Sequence, residues 1–104
     1  MASGVFLDDV RDPPEGWDLV RTAPEAIARL AAGGVTHLSL DHDLGDGPGA
    51  GTGYDVLLWL EEQVALHGFT PPEDITVHSA NVSARPKMEA AITSIRRLFE
   101  RTEE

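Results

Sequence analysis

The sequence predicts an α/β fold with a short, mainly parallel four-stranded sheet, and three observations carry that prediction. Four short apolar runs, at residues 5–7, 17–21, 35–40 and 75–77, read as strands, and helical segments follow the last three. Prolines and glycines mark the breaks between these units. Three of the runs end abruptly in polar residues: Asp8-Asp9, Asp41-His42-Asp43 and His78-Ser79-Ala80-Asn81.

Each element has a local cause. Val5-Phe6-Leu7 is a buried strand with acids at its exit, followed by a loop, Val10 to Gly16, that holds two prolines. Trp17 to Arg21 is the second strand. Thr22, Pro24 and Glu25 form a helix start: a cap, a first-turn proline and an acid three residues after the cap. Ala26, Ile27, Leu30 and Ala31 make that helix's apolar face, and Gly33-Gly34 stops it. Val35 to Leu40 is the third strand. A loop from Leu44 to Gly53 with five glycines follows, and then a helix capped by Thr52 with Asp55. That helix spans residues 53–66, buries Val56, Leu57, Leu60 and Val64, and closes at Gly68. After Pro71-Pro72 comes the fourth strand, Ile75 to Val77. The last helix begins near Ser83, tolerates Pro86 in its first turn and runs to about Arg101. Its stripe is Met88, Ala91, Ile92, Ile95, Leu98 and Phe99. Trp17, Trp59 and Phe99 are read as core, and His37 and His67 as structural or solvent-facing.

Alternating strands and helices imply parallel strands with right-handed crossovers. If the first and third strands both deliver acids to one rim, the first and second are parallel as well. Only residues 10–16 join those two, which is short for a parallel crossover. Extended chain advances ~3.3 Å per residue, enough to run back along a short strand. A bare return loop is therefore predicted where a first helix would stand.

Length and composition bound the function. At 104 residues the chain suits one domain, here taken as 1–104. The absence of cysteine excludes disulfides and thiolate-held zinc and points to a reducing, cytoplasmic setting. No apolar run approaches the ~20 residues of a membrane span, so no membrane partner is expected. The net charge of −10 repels a nucleic-acid backbone at long range, which argues against non-specific DNA or RNA binding. A small phosphate-bearing ligand can still bind where a metal ion and local donors outweigh the field.

In open parallel sheets ligands bind beyond the carboxyl ends of the strands, where the loops converge. The candidate residues therefore share one crevice. Asp8, Asp9, Asp41 and Asp43 offer hard oxygen ligands suited to a divalent metal, magnesium or manganese. Arg11, Ser79 and Asn81 are candidate phosphate donors. His42 and His78 are candidate proton carriers, and Asp41 is a further candidate as a covalent nucleophile. Each has a structural counterpart. The acids can form turns, Ser79 and Asn81 can cap the last helix, and the histidines can be buried and hydrogen-bonded.

The paired acids, the third-strand aspartate and the fourth-strand hydroxyl resemble the pocket of bacterial receiver domains. A closer resemblance is to the cyclic-phosphate processing receiver domains. It rests on Leu7-Asp8-Asp9-Val10-Arg11, Thr22 with Ala26, Leu40-Asp41-His42-Asp43-Leu44-Gly45, Gly53-Tyr54-Asp55 with Trp59, and His78-Ser79-Ala80-Asn81 with Met88. It spans residues 5–90. The resemblance implies a receiver-like (flavodoxin-like) three-layer fold, with the first helix replaced by a loop and the fifth strand absent. That strand carries the lysine of signalling receivers, so ordinary phosphorelay is not expected. The resemblance further implies metal-assisted hydrolysis of a small cyclic phosphate from RNA repair, such as a nucleoside 2′,3′-cyclic phosphate or ADP-ribose cyclic phosphate. The alternative is a non-catalytic domain that binds a phosphate-bearing ligand or a protein partner in signalling or defence. An interaction module would expose an apolar patch, most plausibly on the last helix.

Overall fold

The structure is a computed structural model and describes residues 3–45, 47 and 49–102. Its elements are β1 (Gly4–Leu7), β2 (Trp17–Val20), α1 (Ala23–Ala31), β3 (His37–Leu40), α2 (Gly53–His67), β4 (Asp74–Val77) and α3 (Arg85–Thr102). The strand order is β2-β1-β3-β4, and all three pairings are parallel. The join between β1 and β2 is the bare return loop expected from the sequence. Two positions of the glycine-rich loop, Asp46 and Pro48, lie outside the described residues.

Capping fixes the helix starts. Thr22 Oγ1 accepts the Glu25 N–H, and Thr52 and Asp55 form a reciprocal capping box. Gly68, in the left-handed region at φ 65°, ends α2. The core is a single cluster. Val5, Leu7, Val20, Leu38, Leu40 and Ile75 come from the sheet, and Leu30, Val56, Leu57, Leu60, Val64, Met88 and Ile95 from the helices. Fully burying a leucine contributes about 2 kcal/mol. Ala31, expected on the inner face of α1, is exposed, because the buried stripe is Ala23, Ala26 and Leu30. The stripe of α3 is spent on this core: Met88, Ala91 and Ile95 are buried, with Ile92, Leu98 and Phe99 packed beside them. None of the exposed large hydrophobics among the described residues lies on α3.

The layering differs from the three layers expected. Successive helices touch one another, α1 with α2 and α2 with α3, so all three form one layer on one sheet face. The cause is topological. The moves β2→β3 and β3→β4 run in the same direction across the sheet, so right-handed crossovers put both helices on one side. The move β1→β2 runs the opposite way, and its connection has no helix to supply a second layer. Among the described residues the far face is instead lined by Phe6, Trp17, His37, Ser39 and His78. Phe6 stacks on His78 and meets Trp17 edge-on, and Trp17 meets His37 edge-on. Trp17 therefore lies on this face and not in the core. Its ring fills the space beside Gly4, where any Cβ would collide with it.

Candidate functional site

The acids at the ends of β1 and β3 converge. Asp8, Asp9 and Asp41 each bring a carboxylate oxygen within 4.8 Å of the other two. Adjacent parallel strands cause this: Leu7 pairs with Leu40, so the residues that follow leave the sheet side by side. Asp8 is buried at 1% exposure, while Asp9 and Asp41 are half-buried.

Asp8 is the fixed point. Its Oδ1 accepts the N–H groups of Val10 and Arg11, both at 2.9 Å, and its Oδ2 lies 3.0 Å from His78 Nε2. Burial alone would raise its pKa, but the Arg11 and Val10 amides and the His78 ring outweigh burial and hold the carboxyl below its ordinary value. A carboxyl whose folded pKa lies below the unfolded one stabilises the fold above the unfolded value, near 3.9. That stability fades as pH falls through the folded value. In urea melts, the stability advantage of wild type over Asp8→Asn should hold at neutral pH and shrink steadily below about pH 4. A difference independent of pH would show that Asp8 is not ionised in the fold.

Asp9 has no side-chain hydrogen bond among the described residues, and its carboxylate lies near Gly45. Among the described residues the Asp41 side chain accepts only the His42 amide, at 2.8 Å. Three ionised carboxylates this close repel one another by roughly 1 kcal/mol per pair in water and more in a half-buried site. The carboxylate oxygens of Asp9 and Asp41, gathered with one from Asp8, suit a small hard cation. Magnesium takes oxygens at about 2.1 Å, so two of its ligands lie about 3–4 Å apart, inside the 4.8 Å that bounds the oxygens here.

Asp43 stands outside this trio. Its Oδ1 is 2.8 Å from His42 Nδ1, and both its oxygens accept from Asn81 Nδ2, at 3.2 and 3.3 Å. Bonds from His42 and then Asn81 lower its pKa against a small opposing effect of burial. The structure therefore gives Asp43 the role of a partner to His42, because the chain turns after Leu40 and carries it away from the acid cluster. An ionised Asp43 accepts from Nδ1–H, and in the neutral form of the ring this leaves His42 Nε2 as the acceptor.

Asn81 also differs from the expectation. Its Nδ2 serves Asp43 and its Oδ1 accepts from the Ser83 and Ala84 amides, capping the turn into α3. With both ends engaged it braces the site and is not placed as a phosphate donor. Buried Ser79 accepts the Asn81 amide at 3.0 Å, which leaves its O–H hydrogen to donate. Arg11 is exposed. One guanidinium nitrogen donates to the His78 carbonyl at 3.3 Å, and among the described residues the rest of the fork is unclaimed. His78 departs furthest. Both its nitrogens are hydrogen-bonded and its ring is stacked on Phe6, so it offers a substrate no free nitrogen.

Two residues of this network were missed in the sequence. Arg21 donates to the Asp8 and Arg11 carbonyls, clamping the start of the return loop to the end of β2. Ser39, inside β3, bonds His78 Nδ1 at 2.7 Å. An arginine ending a strand opposite an acidic turn was a usable signal for the first, whereas only strand register reveals the second.

A family profile described as the cyclic-phosphate processing receiver domain matches residues 3–94. The chain belongs to that family. No curated protein and no solved structure matches it significantly. The family's name places this receiver domain in cyclic-phosphate processing. Its matched span contains every residue of the acid cluster, the His42–Asp43 pair and the His78-to-Asn81 turn. Among the described residues the sheet has four strands. No described helix is long and apolar enough to cross a membrane.

Proposed function

We propose that this domain hydrolyses a small cyclic phosphate, such as a nucleoside 2′,3′-cyclic phosphate or ADP-ribose cyclic phosphate, at the rim formed by the ends of β1, β3 and β4. The observation that carries the proposal is the meeting of Asp8, Asp9 and Asp41 beside an Asp43-oriented His42 in a member of this family. Magnesium or manganese held by the three acids would neutralise charge on the non-bridging oxygens and lower the pKa of water there.

The chain's own residues supply the rest. His42 Nε2 is the proton acceptor for the attacking water, and Asp43 holds the imidazole in the tautomer that work requires. After attack the same nitrogen returns the proton to the leaving ribose oxygen. Arg11 forks its unclaimed N–H groups onto phosphate oxygens. Ser79 donates a further hydrogen bond from the start of the turn. Asn81 fixes Asp43 and so sets the position of His42.

Phosphorus NMR of the two substrate types, with and without magnesium or manganese, tests the reaction. Wild type should turn over at least one of them only with metal. Asp41→Asn should lose turnover, and His42→Asn should lose about 10²–10⁴-fold in kcat while still binding manganese. Turnover undiminished in Asp41→Asn would remove the acid cluster from the mechanism. Metal-dependent binding without turnover would instead assign the domain to non-catalytic recognition of a phosphate-bearing ligand.

A further inference from the structure

His78 and Ser39 belong to a chain of contacts that the hydrolysis described above does not use. Ser39 sits in β3 in register with Phe6 of β1 and Thr76 of β4, on the face without helices. His78 follows β4 directly, and its backbone amide continues the ladder to the Leu40 carbonyl. Ser39 Oγ lies 2.7 Å from His78 Nδ1, and His78 Nε2 lies 3.0 Å from Asp8 Oδ2. The ring lies flat on Phe6, with centroids 4.3 Å apart and planes 4° from parallel. Ser39 is 8% exposed and Asp8 1%. Three strands thus hold one hydrogen-bonded line that ends on an acid of the cluster.

With Asp8 ionised and the imidazole in its neutral form, the protons in this line take one order. An ionised carboxylate only accepts, so Nε2 carries the hydrogen that Asp8 receives. In that form the ring presents a lone pair at Nδ1, to which Ser39 can donate its O–H. The flat contact with Phe6 restrains the ring to one plane, so the direction of Nε2–H is fixed as well. Asp8 Oδ1 is meanwhile held by the Val10 and Arg11 amides. With one oxygen held by the turn and the other by His78, the carboxylate has one orientation.

We propose that Ser39 and His78 are positioning residues that fix the Asp8 carboxylate beside Asp9 and Asp41, and that this brace sets the cluster's affinity for a divalent cation. The inference rests on the reading that the three acids hold such an ion. It assigns His78 a role other than proton transfer to substrate, because neither ring nitrogen is free. It equally separates Ser39 from a nucleophile's role. Ser39 lies within the strand, below the rim where a substrate's phosphorus would sit, and its hydroxyl is directed at the imidazole. Outer partners that hold a ligating carboxylate or imidazole commonly change metal affinity on the order of 10–100-fold when removed.

The test is manganese binding by electron paramagnetic resonance, with folding followed by circular dichroism and melting. His78→Phe keeps a ring on Phe6 but removes the donor, and its manganese affinity should fall on the order of 10-fold or more. His78→Gln gives up the stack but keeps an N–H, so it should recover part of that loss. Ser39→Ala should weaken binding by a few fold. It should also shift the ¹⁵N signals of His78 away from the single Nε2–H tautomer expected in wild type. If His78→Phe does not fold, the tautomer signature and the affinities of Ser39→Ala and His78→Gln decide. Wild type that binds manganese, with all folded variants binding equally well, overturns the brace. Wild type that binds no manganese overturns the cation reading beneath it, and the two failures are therefore distinct.

Discussion

Asp8→Ala should destabilise the fold by about 3–5 kcal/mol, the range seen when one partner of a buried polar or ionic group is removed. The Val10 and Arg11 amides and the His78 ring all lose their acceptor at once. The half-buried His78 donor left without a partner costs about 1–3 kcal/mol, and the Val10 and Arg11 amides lose the acceptor that orders the turn even though water can reach those exposed residues. A domain of this size has roughly 5–15 kcal/mol in total, so the variant should be largely or partly unfolded at ambient temperature. The neighbouring acid should behave in the opposite way. Asp9 has no side-chain hydrogen bond among the described residues and stands beside two like charges. Asp9→Ala should therefore leave metal-free stability unchanged or slightly raised, while manganese affinity falls steeply. Urea melts of both variants without metal, together with manganese titrations of Asp9→Ala, check this contrast. Equal destabilisation by the two substitutions would show that Asp8 is not the structural anchor of the turn. Equal manganese affinity in wild type and Asp9→Ala would show that the cluster does not bind the ion.

The sequence revealed the rim more clearly than its wiring. Strand exits were legible because Leu7-Asp8-Asp9 and Leu40-Asp41-His42-Asp43 switch from apolar to acidic within one residue. The helix starts were legible because Thr22 and Thr52 carry their capping partners at fixed spacing. The single helical layer was also written in the chain, in a form easily passed over. A parallel strand covered on both faces reads as a continuous apolar run, whereas His37-Leu38-Ser39-Leu40 and Asp74-Ile75-Thr76-Val77 alternate. That alternation is the mark of a strand with one face free of helices. The pairing of His78 with Asp8 and Ser39 was not legible. It joins residues 70 and 39 positions apart and depends on which way a side chain leaves the end of β4. The bonds of Asp43 to His42 and Asn81 were not legible for a related reason. Its place three residues past Leu40 suits either cluster, and only the turn direction after the strand selects His42 and Asn81.

Gly53→Ala should act on the site through the backbone alone. Gly53 is the first residue of α2 and is buried, with its amide donating to the His42 carbonyl at 3.2 Å. A Cβ built there would overlap the Asp41 carbonyl oxygen and come within 2.9 Å of the Met88 Cε methyl. Met88 can turn away, being the flexible end of a long side chain. The Asp41 carbonyl cannot, because it belongs to the backbone that leads out of β3. Inserting the methyl therefore pushes α2 and the Asp41-His42 segment apart. Overpacking of this kind costs about 1–3 kcal/mol. The larger effect should be functional, since both Asp41 and His42 ride on the displaced segment. A shift near 1 Å at reacting groups commonly costs about 10²-fold in rate. Gly47 is the control: no atom lies within 4 Å of a Cβ added there, and Gly47→Ala should match wild type in melting and manganese affinity. If Gly53→Ala instead melts, binds manganese and turns over substrate as wild type does, the start of α2 does not set the position of Asp41, and the acid cluster owes its geometry to the strand ends alone.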